Sequence, residues 1–213
     1  MVMKPCETGE AISDRGDPTL GASFILASAS VTRLALLKKL HMVPDVCFPV
    51  SVDESPRKHE RARMYVERVA GLKMSAAFAE YPDEIVLAAD TIVSVGRRLM
   101  QKPKNRDEAR AMLELYSGRR FRVFTSVVMQ DWQKRCQRTA WAHLRFKRLS
   151  SEDIEWYLQT QPWQDCCGAL VIEGVAGSFL THISGSYSAV LGLPLYEMAH
   201  LLTAFSLNDR RTP

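Results

Sequence analysis

The chain has 213 residues, of which 46% are apolar and 24% charged, and a net charge of +4. This is the ordinary globular range, in one domain or one two-lobed domain with a substantial core. No stretch approaches the roughly 20 apolar residues of a membrane span. No basic block is dense enough for a nucleic-acid arm, so neither membrane nor nucleic acid is an expected partner, and the mild positive charge favours small anions.

Residues 1–21 carry Gly9, Gly16, Pro18 and Gly21 without periodicity and are expected to be a flexible extension. Order is expected from the apolar strand Ser23 to Ala27, which runs through Ser28-Ala29-Ser30 into a helix from Val31 to Leu40. Leu34, Leu36, Leu37 and Leu40 give that helix its apolar stripe, and Ser30 is placed to cap it. A loop with Pro44, Pro49 and Pro56 holds Asp53-Glu54. A second helix is expected over roughly 58–80, with Val66, Val69, Ala70, Ala77 and Phe78 on its apolar side and Lys73 along it.

Ile85-Val86-Leu87-Ala88-Ala89 reads as a buried strand from which Asp90 emerges. It leads into Ile92 to Val95, a turn at Gly96 and a return through Leu99-Met100, a hairpin pattern. Asn105 with Glu108 predicts the start of a helix over 106–116, and Ser117-Gly118 its end. Phe121 to Met129 and Ala140 to Phe146 are expected strands, and Ser150 begins a short helix around Ile154, Tyr157 and Leu158. A strand over Ser178 to Ile183 follows, and Pro194 suits the first turn of a last helix to about 205. Helices and strands mixed without repeats indicate an α/β chain, with the folded domain over 22–207 and a tail at 208–213.

Three places carry candidate chemistry. Ser28, Ser30 and Arg33 put two hydroxyls, a guanidinium and a helix N-terminus at one junction, which suits an anion. Read separately, Ser30 is a cap and Arg33 a surface charge, and both readings stand at this point. Asp53-Glu54 is either a solvated loop pair or a pair of carboxylates for Mg²⁺. Asp90 directly after five apolar residues is costly unless paired or placed at an opening, which suits a metal ligand or a base. Lys73 and Lys102, on separate segments, are placed to hold a polyphosphate against it, or else are exposed lysines.

The five histidines are scattered without metal-ligand spacing. The five cysteines, at 6, 47, 136, 166 and 167, likewise show no such spacing. No disulfide framework is expected, which together with the lack of an apolar leader gives the cytoplasm as the expected location.

In order along the chain, these residues resemble the Maf family of nucleoside triphosphate pyrophosphatases. The likeness runs over about 23–205 through Leu26 to Ser30 with Arg33, Val52-Asp53-Glu54, Lys73, Ala89-Asp90-Thr91 and Lys102-Pro103. Ser117-Gly118, Thr125, Ile183 to Tyr187 and Val190 to Leu195 complete it. The resemblance implies a Maf/ITPase-like α/β fold with a long twisted mixed sheet, flanking helices and a deep cleft between two lobes. It implies a nucleoside triphosphate substrate cut between the α and β phosphates, a Mg²⁺ or Mn²⁺ cofactor and a homodimer. Asp90 would be the general base and, with Glu54, a metal ligand; Lys73 and Lys102 would act in catalysis, and Ser28, Ser30 and Arg33 on the phosphates.

The residues tied to substrate choice are mixed. Val31-Thr32-Arg33 stands where the family has Pro-Arg-Arg. Thr91 and Gly185-Ser186-Tyr187 resemble the branch that takes dTTP and UTP, but Leu170 and Glu173 stand where that branch has Tyr and Gln. A glutamate accepts hydrogen bonds that an amide would donate, so the base at Thr32, Thr91 and Glu173 stays open between dTTP/UTP and a modified nucleotide. The family's association with septum formation leaves a second reading, a nucleotide-binding regulator of cell division with little turnover.

Overall fold

The computed structural model describes residues 7–8, 22–160 and 163–207. The expected N-terminal extension lies outside the described residues except for a two-residue strand, β1 (Glu7–Thr8). The C-terminal tail at 208–213 lies outside them altogether. In chain order there follow β2 (Phe24–Ala27), α1 (Val31–Lys39), β3 (Val46–Cys47), α2 (Ala62–Glu80), β4 (Ile85–Val95) and β5 (Arg98–Met100). Then come α3 (Arg106–Tyr116), β6 (Arg120–Gln130), β7 (Lys134–Phe146), α4 (Ser151–Thr160), β8 (Leu180–Gly185), α5 (Tyr187–Val190) and α6 (Leu195–Ala204).

The strands form one mixed sheet in the order β1-β7-β6-β4-β2-β3, with β5 added to β4 and β8 to β7. β2 runs parallel to β3 and β4, while β4 pairs antiparallel with β5 and β6, and β7 antiparallel with β6 and β8. β4 is the central strand, and its first six residues are all buried. That is why it reads as an unbroken apolar run: a strand covered on both faces has no solvent side to mark.

Its residues alternate between two cores. Ile85, Leu87 and Ala89 join Leu36 and Leu37 of α1 and Leu201 and Leu202 of α6. Val86 and Ala88 join Ala70, Met74 and Ala77 of α2. A further core packs Phe121, Val123, Leu144 and Phe146 against Leu113 and Tyr116 of α3 and Ile154 and Tyr157 of α4. Each such fully buried large apolar side chain contributes about 1.5–3 kcal/mol.

Several expected boundaries shift. The second helix begins at Ala62, not near 58, and its cap residue Arg61 makes no side-chain capping bond. The strand expected from Ala140 begins at Lys134, because its polar first half still pairs with β6 as far as Gln130↔Arg135. The strand expected from Ser178 starts at Leu180, after a 3₁₀ turn over Val175–Phe179, and Pro194 caps the last helix from outside. Cys47, Cys166 and Cys167 form no disulfide, whereas Cys136 is disulfide-bonded, so one bridge exists where none was expected. Among the described residues no helix is long and apolar enough to cross a membrane.

The correction that matters most concerns Asp90. It does not emerge from the end of a strand but sits in the middle of β4, 4% exposed. β2 accompanies β4 only as far as Ala27↔Ala88, and β5 takes up the same edge from Val93↔Met100. Between these points, from Ala89 to Ile92, that edge has no strand neighbour among the described residues. The sheet therefore has an internal opening where a parallel neighbour stops and an antiparallel one begins.

Candidate active site

The chain leaves the carboxyl end of β2 at this opening, the place where open α/β sheets present ligand-binding loops. Ser30 has extended backbone and its hydroxyl accepts from Arg33 N at 3.3 Å, which makes it the cap of α1. The Ser28 hydroxyl accepts from Ser30 N and from Arg33 Nη1, both at 3.1 Å. Arg33 Nε donates to the Gly192 carbonyl at 2.9 Å and Nη2 to Thr91 Oγ1 at 3.2 Å.

Thr91 is 2.9 Å from the Thr125 hydroxyl, which donates its own proton to the Ala189 carbonyl at 2.6 Å. Thr91 must therefore donate to Thr125, and one directed chain runs from Arg33 through Thr91 and Thr125 to Ala189. Among the described residues Arg33 has no carboxylate in salt-bridge contact. Burial pulls its pKa down against the opposing charge of Asp90. A guanidinium held by neutral acceptors beside a helix N-terminus is a seat for an anion.

Asp90 and Thr91 are consecutive on β4 and so point to opposite faces of the sheet. On the Asp90 face lies α2, and Lys73 Nζ reaches Asp90 Oδ1 at 2.6 Å and Glu54 Oε1 at 2.8 Å. Glu54 sits on a loop that α2 also holds, since Tyr65 Oη donates to the Glu54 carbonyl at 2.8 Å and Gln101 Nε2 at 3.2 Å. Burial pushes the Asp90 carboxyl above its ordinary range, although Lys73 pulls it down. Burial lowers Lys73, but the two carboxylates outweigh it and hold the ammonium above its usual value. Asp90 is thus a more basic carboxylate than a solvated one, with Oδ1 tied and no hydrogen bond to Oδ2 among the described residues.

A cavity of about 760 Å³ opens over both groups. Of the residues singled out from the sequence, Ser28, Ser30, Thr32, Arg33, Glu54, Lys73, Asp90, Thr91, Lys102 and Glu173 line it, whereas Asp53 does not and instead accepts from Ser55 N at 2.9 Å within its own loop. Lys102, Thr32 and Glu173 are exposed at its rim. The opening in the sheet is what lets groups from opposite faces share one cavity.

Sequence reasoning reached Leu170 and Glu173 but missed the rest of the far wall, where Asp165, Cys166 and Cys167 belong to the segment between α4 and β8. That wall is fastened by long-range bonds. Gly168 N donates to the Gln101 carbonyl at 2.9 Å, and Tyr116 Oη to the Gly168 carbonyl at 2.9 Å. Tyr157 Oη donates to the Ala169 carbonyl at 2.5 Å. Gly168 has φ +66°, and a Cβ there would collide with Tyr116 Oη and lie 3.0 Å from Val93 Cβ, so the position requires glycine. Burial pushes the Cys167 thiol up to about 12 and the Cys166 thiol upward as well, so both are inert wall groups at neutral pH. Gly192 and Thr125, which complete the Arg33 chain, carry no local signal of that role.

Among the described residues no group of three or more histidine, cysteine or acidic side chains is placed to hold a metal. The two carboxylates that converge on Lys73 fit an ion that takes only one or two protein carboxylates and draws its other oxygens from water and phosphate, as Mg²⁺ does.

A sequence model of the family described as Maf-like protein matches residues 23–205. The chain is 40% identical to the dTTP/UTP pyrophosphatase of Wolbachia pipientis subsp. Culex pipiens, over 86% of this chain and 94% of that one. It is 41% identical to the nucleoside triphosphate pyrophosphatase of Ehrlichia ruminantium, over 86% of this chain and 96% of that one. Among solved structures it is similar to the Staphylococcus aureus Ham1 protein at 16% identity and a TM-score of 0.43, over 58% of this chain and 71% of that one.

Proposed function

The chain belongs to the Maf family, and on that premise we propose that it is a nucleoside triphosphate pyrophosphatase that releases a nucleoside monophosphate and pyrophosphate. The observation that carries this is the pairing of Lys73 with Asp90 and Glu54 in one cavity with an Arg33 that has no carboxylate partner among the described residues. One side supplies a raised, buried carboxylate and the other an anion seat.

In this reading Arg33, Ser28, Ser30 and the first turn of α1 bind phosphate oxygens. Lys102 at the rim adds a second cation over the same chain of phosphates. Asp90 takes a proton from the water whose oxygen attacks the α-phosphorus, and the bond to the bridging oxygen breaks with its electron pair leaving on pyrophosphate. Lys73 keeps Asp90 ionised and oriented between turnovers and balances Glu54. Glu54 and Asp90 would hold a Mg²⁺ or Mn²⁺ ion, which when bound neutralises charge on the phosphates. Thr32, Thr91 and Glu173 meet the base and sugar, and Glu173, an acceptor, selects for a base that presents a donor. The catalytic unit is residues 22–207.

The test is pyrophosphate release with Mg²⁺ across canonical and modified nucleoside triphosphates, dTTP and UTP included, with Asp90→Asn as control. Turnover that falls by about 10²-fold or more in the variant, with nucleotide still bound, supports the enzyme. Near-normal turnover by a folded Asp90→Asn protein sinks the assignment of the base. Nucleotide binding without turnover across the panel would favour the regulator.

A further inference from the structure

Among the described residues one face of the sheet is left uncovered beyond the cavity. α2 covers Ile92 and Phe124 through Tyr65, Val66 and Val69. Past that line β7 alternates exposed Trp141, His143 and Arg145 with buried Ala142, Leu144 and Phe146, so only the other face is packed. Strand register brings basic side chains together there. Arg120 lies opposite Arg145, which lies opposite His182 of β8, and Arg122 lies opposite His143.

Arg120 and Arg145 are like charges directly opposite one another, an arrangement that is destabilising. No carboxylate relieves them: among the described residues none of these five side chains takes part in a salt bridge. The proximity is felt at His143, whose pKa is lowered by burial and then by Arg122, Arg120 and His182. The indole of Trp141 is 38% exposed, with the His143 ring edge-on at 4.9 Å.

We propose that this uncovered sheet face binds single-stranded nucleic acid, with the Arg120, Arg122 and Arg145 rows holding its phosphates and Trp141 stacking a base. Successive rows on a strand face are about 6.6–6.8 Å apart, which spreads the cations along a line as a phosphodiester chain requires. A flat basic surface with an aromatic platform is how single strands are held without sequence preference. A two-fold contact with a second copy through the same face would set these cations against themselves. The arginines come from the start of β6 and the end of β7, which is why no single basic run announces them.

The experiment is fluorescence anisotropy of a fluorescein-labelled 20-nucleotide oligo(U) RNA with the full chain at 50 and 200 mM KCl. Three arginine contacts predict an affinity that drops about 20-fold between these salts. Arg120→Glu/Arg145→Glu is expected to weaken binding at least 10-fold and flatten the salt dependence, and Trp141→Ala to weaken it at least 5-fold. Melting temperature and pyrophosphate release are expected to stay unchanged in both variants. No binding at 50 mM KCl overturns the proposal, as does binding indifferent to the arginine substitutions. Competition by a saturating non-hydrolysable nucleoside triphosphate would place the RNA in the cavity and overturn it too. Equal affinity for poly-glutamate, unaltered by Trp141→Ala, would assign the face to an acidic polypeptide instead.

Discussion

Replacing Lys73 by methionine removes the ammonium that lies 2.6 Å from Asp90 and 2.8 Å from Glu54 while keeping most of the aliphatic stem. The Lys73 side chain is 13% exposed and that of Asp90 6%, so this half of the contact is shielded from water. Removing one partner of a buried pair costs about 3–5 kcal/mol. Glu54 is 41% exposed and relaxes into solvent, so the lower part of that range applies, about 3 kcal/mol at pH 8. The pH dependence has a definite sign. Burial already raises Asp90, and loss of Lys73 raises it further. A carboxyl with a raised folded-state pKa contributes stability that is present at low pH and lost as pH rises through that value. The deficit relative to the unaltered protein is therefore expected to be largest at pH 8 and to shrink toward pH 5, because falling pH favours the protonated carboxyl. Urea denaturation of both proteins at the two pH values measures it. An equal deficit at both pH values, or none at pH 8, would refute the reasoning.

Thr125→Val removes the donor to the Ala189 carbonyl and the acceptor for Thr91. It is expected to cost about 1–3 kcal/mol in thermal unfolding and to raise KM for the triphosphate as Arg33 loosens, whereas Thr125→Ser restores both; a serine variant no better than valine would break the chain argument. Gly168→Ala forces a Cβ onto Tyr116 Oη at φ +66°. A loss of about 1–3 kcal/mol is expected in the same unfolding assay, and an unaltered melting temperature would show that the wall yields. Removal of divalent ions with EDTA is expected to abolish pyrophosphate release, with Mg²⁺ restoring it; unchanged turnover would remove the metal from the scheme.

Local signals in the sequence were reliable where the physics is local. The cap of α3 is Asn105 accepting from Glu108 N at 2.9 Å, and the helix spans 106–116 as its capping pattern predicts. Ser30 caps α1 in the same way. Boundaries set by tertiary pairing were not legible: the first half of β7 is polar, and nothing nearby says that β6 will pair with it. Asp90 interrupts an apolar run, which invites an end to the strand, yet β6 carries β4 through to Ser94. The candidate residues were legible as types in order, but their convergence depends on where β2 stops. The wall from Asp165 to Ala169 was opaque because hydroxyls from Tyr116 and Tyr157, on other elements, hold it.

The edge of β4 between Ala89 and Ile92, which has no strand neighbour among the described residues, bears on how this cavity tolerates change. Wherever a sheet edge lacks a neighbour, peptide N–H and C=O groups are left for solvent or ligand. Such groups belong to no side chain, so apart from proline no single substitution deletes them. Sequence drift at the rim, as at Thr32 and Glu173, can then retune what enters while the main-chain floor beneath it stays the same. A scan that truncates side chains one at a time would leave that floor invisible, and backbone ester replacement at 89–92 is the kind of probe that would reveal it.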